Sequence, residues 1–304
     1  MKKQLLTLFI LLFPLLCKSQ VDTTYIKPYN QKISIQAYMA KTFLILTHQM
    51  ESVEKTYQPN NPPTIGVGIA ISNTIIDVSY GYGFDFMRNK EQGKTKSFDF
   101  QLHHYNRKFL IDLFIQNYKG FYMDDPELVL CPDLKVESYG LHGEYIFNHK
   151  KFSYKAAFYQ NERQLKSAGT FLAGAGVYLT KIQSDSSFIY NENNSVNNFQ
   201  FSIGGGYAYT KTLGRRWFVS GAISVGISFG CDKISNFGKT KLEVYPTALP
   251  RLAVGYNRES WSIGMYFVGN FVTPSMTGKN NIAMVSGDAK LAYIRRFNLG
   301  KKNR

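Results

Sequence analysis

Alternation with a period of two, sustained over runs longer than an ordinary strand, constrains this chain more than any other feature. Successive strand residues point to opposite faces, so such a run separates two surfaces. Ile65, Val67, Ile69 and Ile71 alternate with Gly66, Gly68, Ala70 and Ser72. Ile76, Val78, Tyr80, Tyr82 and Phe84 alternate with Asp77, Ser79, Gly81, Gly83 and Asp85, and Phe199–Thr210 and Trp217–Gly230 repeat the pattern. One face is apolar with aromatic ends, whereas the other is Gly, Ser and Ala with scattered charge. Strands of a soluble sandwich average about five or six residues and carry more Lys and Glu outward. These runs have the length of a tilted membrane crossing.

Composition fits the same reading. Tyr (21) and Phe (23) are abundant, Gly numbers 25, and charged residues make up only 19%. Barrels place aromatics at the two membrane interfaces and small residues in a crowded lumen. The mean hydropathy of −0.23 excludes a helical membrane bundle. The expected fold is therefore all-β, an antiparallel up-and-down transmembrane β-barrel.

The one long apolar run is N-terminal. In MKKQLLTLFILLFPLLCKSQ, Lys2 and Lys3 precede the apolar stretch Leu5–Leu16, the layout of a secretory signal peptide. Cleavage after Ser19 is expected. Acylation at Cys17 is disfavoured because Pro14-Leu15-Leu16 lacks the small residue that should precede it. Lys2, Lys3 and Lys18 leave with the leader, so the mature formal charge is +15 − 3 = +12. Its expected anionic counterpart is outer-membrane lipid and lipopolysaccharide, since no nucleic-acid-binding motif is present. Cys131 and Cys231 survive processing. Their strands are about half a barrel apart, which favours two thiols over a disulfide.

Connections alternate in length. Short ones fall at 72–73, 105–107, 148–150, 213–215 and 257–259, and longer polar ones near 51–63, 86–95, 123–135, 184–197, 232–239 and 273–280. Short turns are periplasmic in bacterial barrels, which puts both chain ends there. The organisation is then a signal peptide at 1–19, a periplasmic lead-in at 20–31, the barrel at 32–297 and a basic tail at 298–304. Candidate strands lie at 33–49, 64–72, 74–85, 96–105, 108–121, 136–148, 151–160, 168–182, 198–212, 215–231, 241–257, 260–271 and 281–297. That count is odd, whereas single-chain bacterial barrels are even. Either 151–182 makes one crossing plus an external or lumenal excursion, or a strand has been missed. Twelve strands are expected, with 14 the alternative.

The segments DTTYIKPYNQKISIQAYMA (22–40), YQPNNPPTIGVGIAISNTIIDVSYGYGFDFM (57–87), GKTKSFDFQLHHYNRKFLIDLFIQNYKGFY (93–122) and FNHKKFSYKAAFYQNERQLKSAGTFL (147–172) resemble a Bacteroidetes exported family, domain of unknown function 4421. The resemblance spans nearly the whole mature chain. It implies an outer-membrane barrel without an assigned activity and transfers no catalytic residue. DAKLAYIRRF at 288–297 approximates the last-strand signal read by the barrel-assembly machinery, with Arg295 where an aromatic is common.

Strict alternation gathers Asp77, Asp99, Gln101, His103, Asp112, Gln116, His142, Glu144 and Lys155 on one lumenal patch. A His between carboxylates suits acid–base work, but a packed lumen also demands that its charges pair, so a structural network is expected. Ser138 and His142 share a strand face, a weak basis for a lipid hydrolase. No HxH, HExxH or GxSxG spacing occurs, and no metal or cofactor is expected. Trp217 and Trp261 follow basic turns and are expected to anchor one interface. The expected role is a non-enzymatic structural or partner-binding surface protein, with external loops open to a protein partner. A narrow pore for small, anionic solutes is the alternative, and a lipid-modifying enzyme the third reading.

Overall fold

A computed structural model of the chain describes residues 21–50, 53–71, 74–124, 126–186, 188, 194–231, 243–276 and 280–298. The expected signal peptide at 1–19 and all but the first residue of the expected basic tail lie outside them. The wall begins with β2 (Ile33–Met50), β3 (Val53–Tyr57), β4 (Thr64–Ile71), β5 (Thr74–Gly83), β6 (Lys96–Tyr105), β7 (Phe109–Asp124) and β8 (Leu128–Ile146). It continues with β10 (Ala168–Gln183), β11 (Ser195–Leu213), β12 (Trp217–Cys231), β13 (Glu243–Asn257), β14 (Trp261–Met276) and β15 (Asn280–Phe297). Each strand pairs antiparallel with its neighbour, and β15 closes on β2 from Asn280↔Met50 to Phe297↔Ile33.

The sheet has 13 strands but twelve positions. β3 pairs with Leu46–Met50 and β4 with Ile33–Ala40, both on the same edge of β2. They form one stave interrupted at 58–63, which reconciles the odd count with an even barrel. The alternation separates as physics requires. Ile65, Val67, Ile69 and Ile71 are 44–56% exposed on the outer face, while Ala70 is buried inside.

Three sequence assignments are corrected. The segment 151–160 is no strand: it holds a short helix, α1 (Tyr154–Tyr159), inside the barrel. Ser153 caps it, its hydroxyl accepting from the Ala156 amide, and Gln160 ends it in the left-handed region at φ 47°. Phe152, Tyr154, Ala156 and Phe158 alternate, but Ala156-Ala157 favours a helix and Tyr154, Ala157 and Phe158 share a helical face. Second, 128–135 extends β8 rather than forming a loop. Third, 53–57 is the strand β3, in a segment read as a connection.

The excursion between β8 and β10 is thus lumenal. It includes β9 (Glu162–Gln164), which pairs with β1 (Ile26–Pro28) of the lead-in. The lead-in therefore joins α1 in a plug across the end that carries both termini. Tyr154, Ala157 and Phe158 pack against inward-facing Ala208, Ala222, Ala253 and Ala292. Small residues on these strands leave the space the helix occupies. A second apolar cluster, with Leu44, Tyr118, Leu134, Phe188 and Met284, fills the lumen toward the loop end. Cys131 and Cys231 are both buried.

Candidate functional site

Between the two apolar layers lies a polar belt. Its centre is Asp112 of β7. Asp112 Oδ1 lies 2.5 Å from His103 Nδ1 and accepts from the Tyr105 hydroxyl at 2.8 Å. Its other oxygen accepts from Arg251, which also donates to Tyr105 at 2.8 Å. These four side chains are buried, so the carboxylate and guanidinium satisfy each other without solvent. Beside them, His142 Nδ1 lies 3.2 Å from the Tyr178 hydroxyl and Nε2 3.4 Å from Glu144, which accepts from Ser224. Asp99 accepts from Gln116 at 2.9 Å and Gln101 at 3.2 Å.

Asp99, His103, Asp112, His142 and Glu144 are thus all buried in the lumen. Asp77 lies in β5, but its side chain is outside the described residues. Lys155 reaches the lumen on α1 instead of a strand and joins a different group. Its ammonium is 2.9 Å from Glu162, which also receives both arms of Arg107 and the Ser153 hydroxyl at 2.8 Å. Burial would raise the Glu162 pKa, but Lys155 and Arg107 outweigh it and hold the carboxyl below its ordinary value. Lys155 shifts downward too, because burial there outweighs the attraction of Glu162 and Arg107 adds repulsion. The asymmetry is physical: the carboxylate faces two cations, the ammonium a single carboxylate.

Arg251 and Glu162, the strongest partners in the two groups, were not among the sequence candidates. Arg251 shares the inward parity of Thr247, Leu249 and Ala253, and that parity is its one sequence signal. Its partner lies across the lumen on β7, a contact no neighbour-strand argument reaches. Among the described residues no His, Cys, Asp and Glu group is placed to hold a metal. Ser138 is buried on β8, but His142 engages Tyr178 and Glu144. The arrangement pairs and immobilises charge, and the cavities beside it measure only about 10, 20 and 30 Å³.

Trp217 and Trp261 stand on the outer rim at the plugged end. Trp217, Tyr256, Trp261 and Tyr293 form a continuous row, with ring centres 5.1, 5.7 and 6.0 Å apart.

The family model described as Domain of unknown function (DUF4421) matches residues 20–297, the span of the plug and every strand of the wall. The chain belongs to this family. Comparison with curated proteins finds no match. Among solved structures, the outer membrane protease OmpT from Escherichia coli is 8% identical, with 90% of this chain and 98% of that chain covered and a TM-score of 0.39. A bacterial polysaccharide outer membrane secretin is 8% identical, with 88% and 99% covered at TM-score 0.34. The Pseudomonas putida (P. putida) toluene transporter TodX is 6% identical, with 88% and 91% covered at 0.27. With identities below 10% and TM-scores below 0.5, none of these likenesses carries an activity or a role to this DUF4421 chain.

Proposed function

We propose that this DUF4421 protein is exported, loses residues 1–19, and serves as a closed, non-conducting outer-membrane barrel that acts through its outer surface and loops. The reading is carried by one observation: among the described residues, the lumen is occupied along its length. The plug fills one end, paired charges the middle, and Leu44, Tyr118 and Phe188 the other. Cavities of 10–30 Å³ hold a water or two and no solute. An aqueous channel needs a wider, unfilled interior.

A non-enzymatic role follows from the same packing, because His103 and His142 are held in buried contacts away from a substrate. The exposed basic turns Lys150-Lys151 and Arg215-Arg216 suit the headgroups of anionic phospholipid, and the loops suit a protein partner. The test is planar-bilayer recording. The intact protein should give no stepwise current, and a variant lacking 152–165 should conduct. Discrete openings in the intact protein would overturn the closed-barrel reading in favour of a pore.

A further inference from the structure

β13 pairs with β12 along its length, from Trp217↔Tyr256 to Gly230↔Glu243. Its pairing with β14 stops at Ala248↔Phe271, and among the described residues nothing joins 243–247 to 272–276. The cause is written in the chain. Pro246 and Pro250 keep their places opposite Ile227 and Ile223 of β12, whereas Leu249 and Pro250 drop out of the β14 register. Four residues apart, both prolines turn their nitrogen to the same edge, the one facing β14. Proline has no N–H to give, so the ladder fails there. β14 contributes a bulge between Val272 and Ser275, and its Thr273 carbonyl accepts from Gln200 of β11 at 2.6 Å. That bond ties β14 to β11, two strands beyond its neighbour β13.

The gap is built rather than frayed. Where a broken ladder would leave orphan donors, Pro246 and Pro250 have none. The Thr247 hydroxyl bonds that of Ser228 at 2.5 Å, and the Thr273 carbonyl is satisfied by Gln200. What remains is a cavity of about 400 Å³, a size typical of ligand sites. Val225, Pro246, Ala248 and Phe271 line its mouth, and buried Val272 and Met284 its floor.

We propose that this gap is a side-facing cleft that binds the acyl chain of a membrane lipid. Its mouth opens on the outer face of the wall, in the cross-strand row Ile45, Val285, Phe271, Ala248, Val225 and Gly205. That row is apolar throughout, so hydrocarbon is the medium that meets it. Thr247 and Thr273 also line the cavity, but the Thr247 hydroxyl and the Thr273 carbonyl are already bonded, so water gains little there. The floor continues into the apolar cluster at the loop end of the lumen, so a chain entering sideways gains contacts that the plain wall does not offer.

The proposal goes beyond the closed lumen and does not rest on it, since conductance probes the interior and labelling the wall. The test uses vesicles of phosphatidylcholine carrying a diazirine near the end of one acyl chain, with labelled residues mapped by mass spectrometry. Phe271, Val272 and Met284 should be labelled about tenfold more than Ile203 and Val219 on the β11–β12 wall. Two variants should lower this to the wall level: P246V/P250V, which restores two donors and lets the seam pair, and A248W, which fills the mouth. Heat-modifiable gel migration confirms that each variant folds. Even labelling around the intact barrel, or cleft labelling unchanged in a folded variant, would overturn the proposal.

Discussion

At the end that carries both termini, chain leaves the wall, folds into the lumen and is fastened there. At the loop end, between β13 and β14, the wall itself loosens. The plug is held by buried ion pairs and by Gln160, whose side chain donates to Asn257 at 3.0 Å and to two β13 and β14 backbone carbonyls. Among the described residues, nothing comparable holds the seam past Ala248 and Phe271. The same two strands thus serve as a tight socket at one end and an open edge at the other. The contrast teaches that barrel closure is local. Hydrogen bonds shut a seam where both partners can donate, and proline opens it where one cannot.

The sharpest way to break the contrast is at Glu162. Its side chain is 4% exposed and holds Arg107, Lys155 and Ser153 together. Glu162→Gln leaves two cations facing a neutral amide, and breaking a buried pair from one side costs about 3–5 kcal/mol. The expected outcome is protease cleavage within 152–167 and single-channel current, with β11 and β12 still protected. A plug that stays protected in this variant would show that apolar packing alone seats it.

Acid should act through the same carboxyl. Its pKa is lowered in the folded chain, so its contribution is complete above the ordinary carboxylate value of 4.5 and is lost as pH falls through the lowered one. Alkali should not undo the latch: the Lys155 pKa is also lowered, so between it and 10.5 the unfolded state holds more protons and rising pH favours the fold. Bilayer recordings should stay silent from pH 8 to about 5 and conduct only in stronger acid. Current that appears first at high pH would contradict this assignment.

How much of this was legible beforehand depends on which surface a residue meets. The strands from Ile65 to Phe229 were readable because lipid imposes one chemistry on every second side chain. α1 was not, because Phe152, Tyr154, Ala156 and Phe158 satisfy a period of two while also presenting a helical face, and only the filled lumen decides between them. Val53–Tyr57 was hidden by its polar composition, VEKTY, at the rim. Lys155 was placed in the lumen for the wrong reason, as a strand residue. Arg251 and Asp112 meet across the barrel, beyond any argument from consecutive strands. Pro246 and Pro250 stood in view inside a strand, where proline argues for an edge; the closed-barrel expectation left no edge to assign.

A smaller effect should separate the seam from the wall without any substitution. On the loop side of Ala248 and Phe271, the alternate backbone amides of β13 and β14 that face the gap lack ladder partners across it, while the others stay paired to β12 and β15. Hydrogen exchange in detergent should run about tenfold faster there than in the β11–β12 ladder, which pairs from Leu213↔Trp217 to Phe199↔Cys231. Equal protection would mean that the strands re-pair in solution.

The smallest effect belongs to a second lysine–glutamate pair at the plugged end. Lys27 of the lead-in and Glu259 of the β13–β14 turn lie 3.1 Å apart with about half of each side chain exposed. The contact repeats the chemistry of Lys155 and Glu162 at nearly the same distance, but solvent and salt screen it. Lys27→Ala should therefore change stability by under about 1 kcal/mol, with the difference vanishing in 1 M salt. Urea midpoints with and without salt would check this. A loss as large as that of Glu162→Gln would mean that the lead-in, through its surface charge, seats the plug. A negligible one leaves burial as what separates the two pairs, and with it the reason why chain folded into a lumen can be fastened by charges that achieve little on its rim.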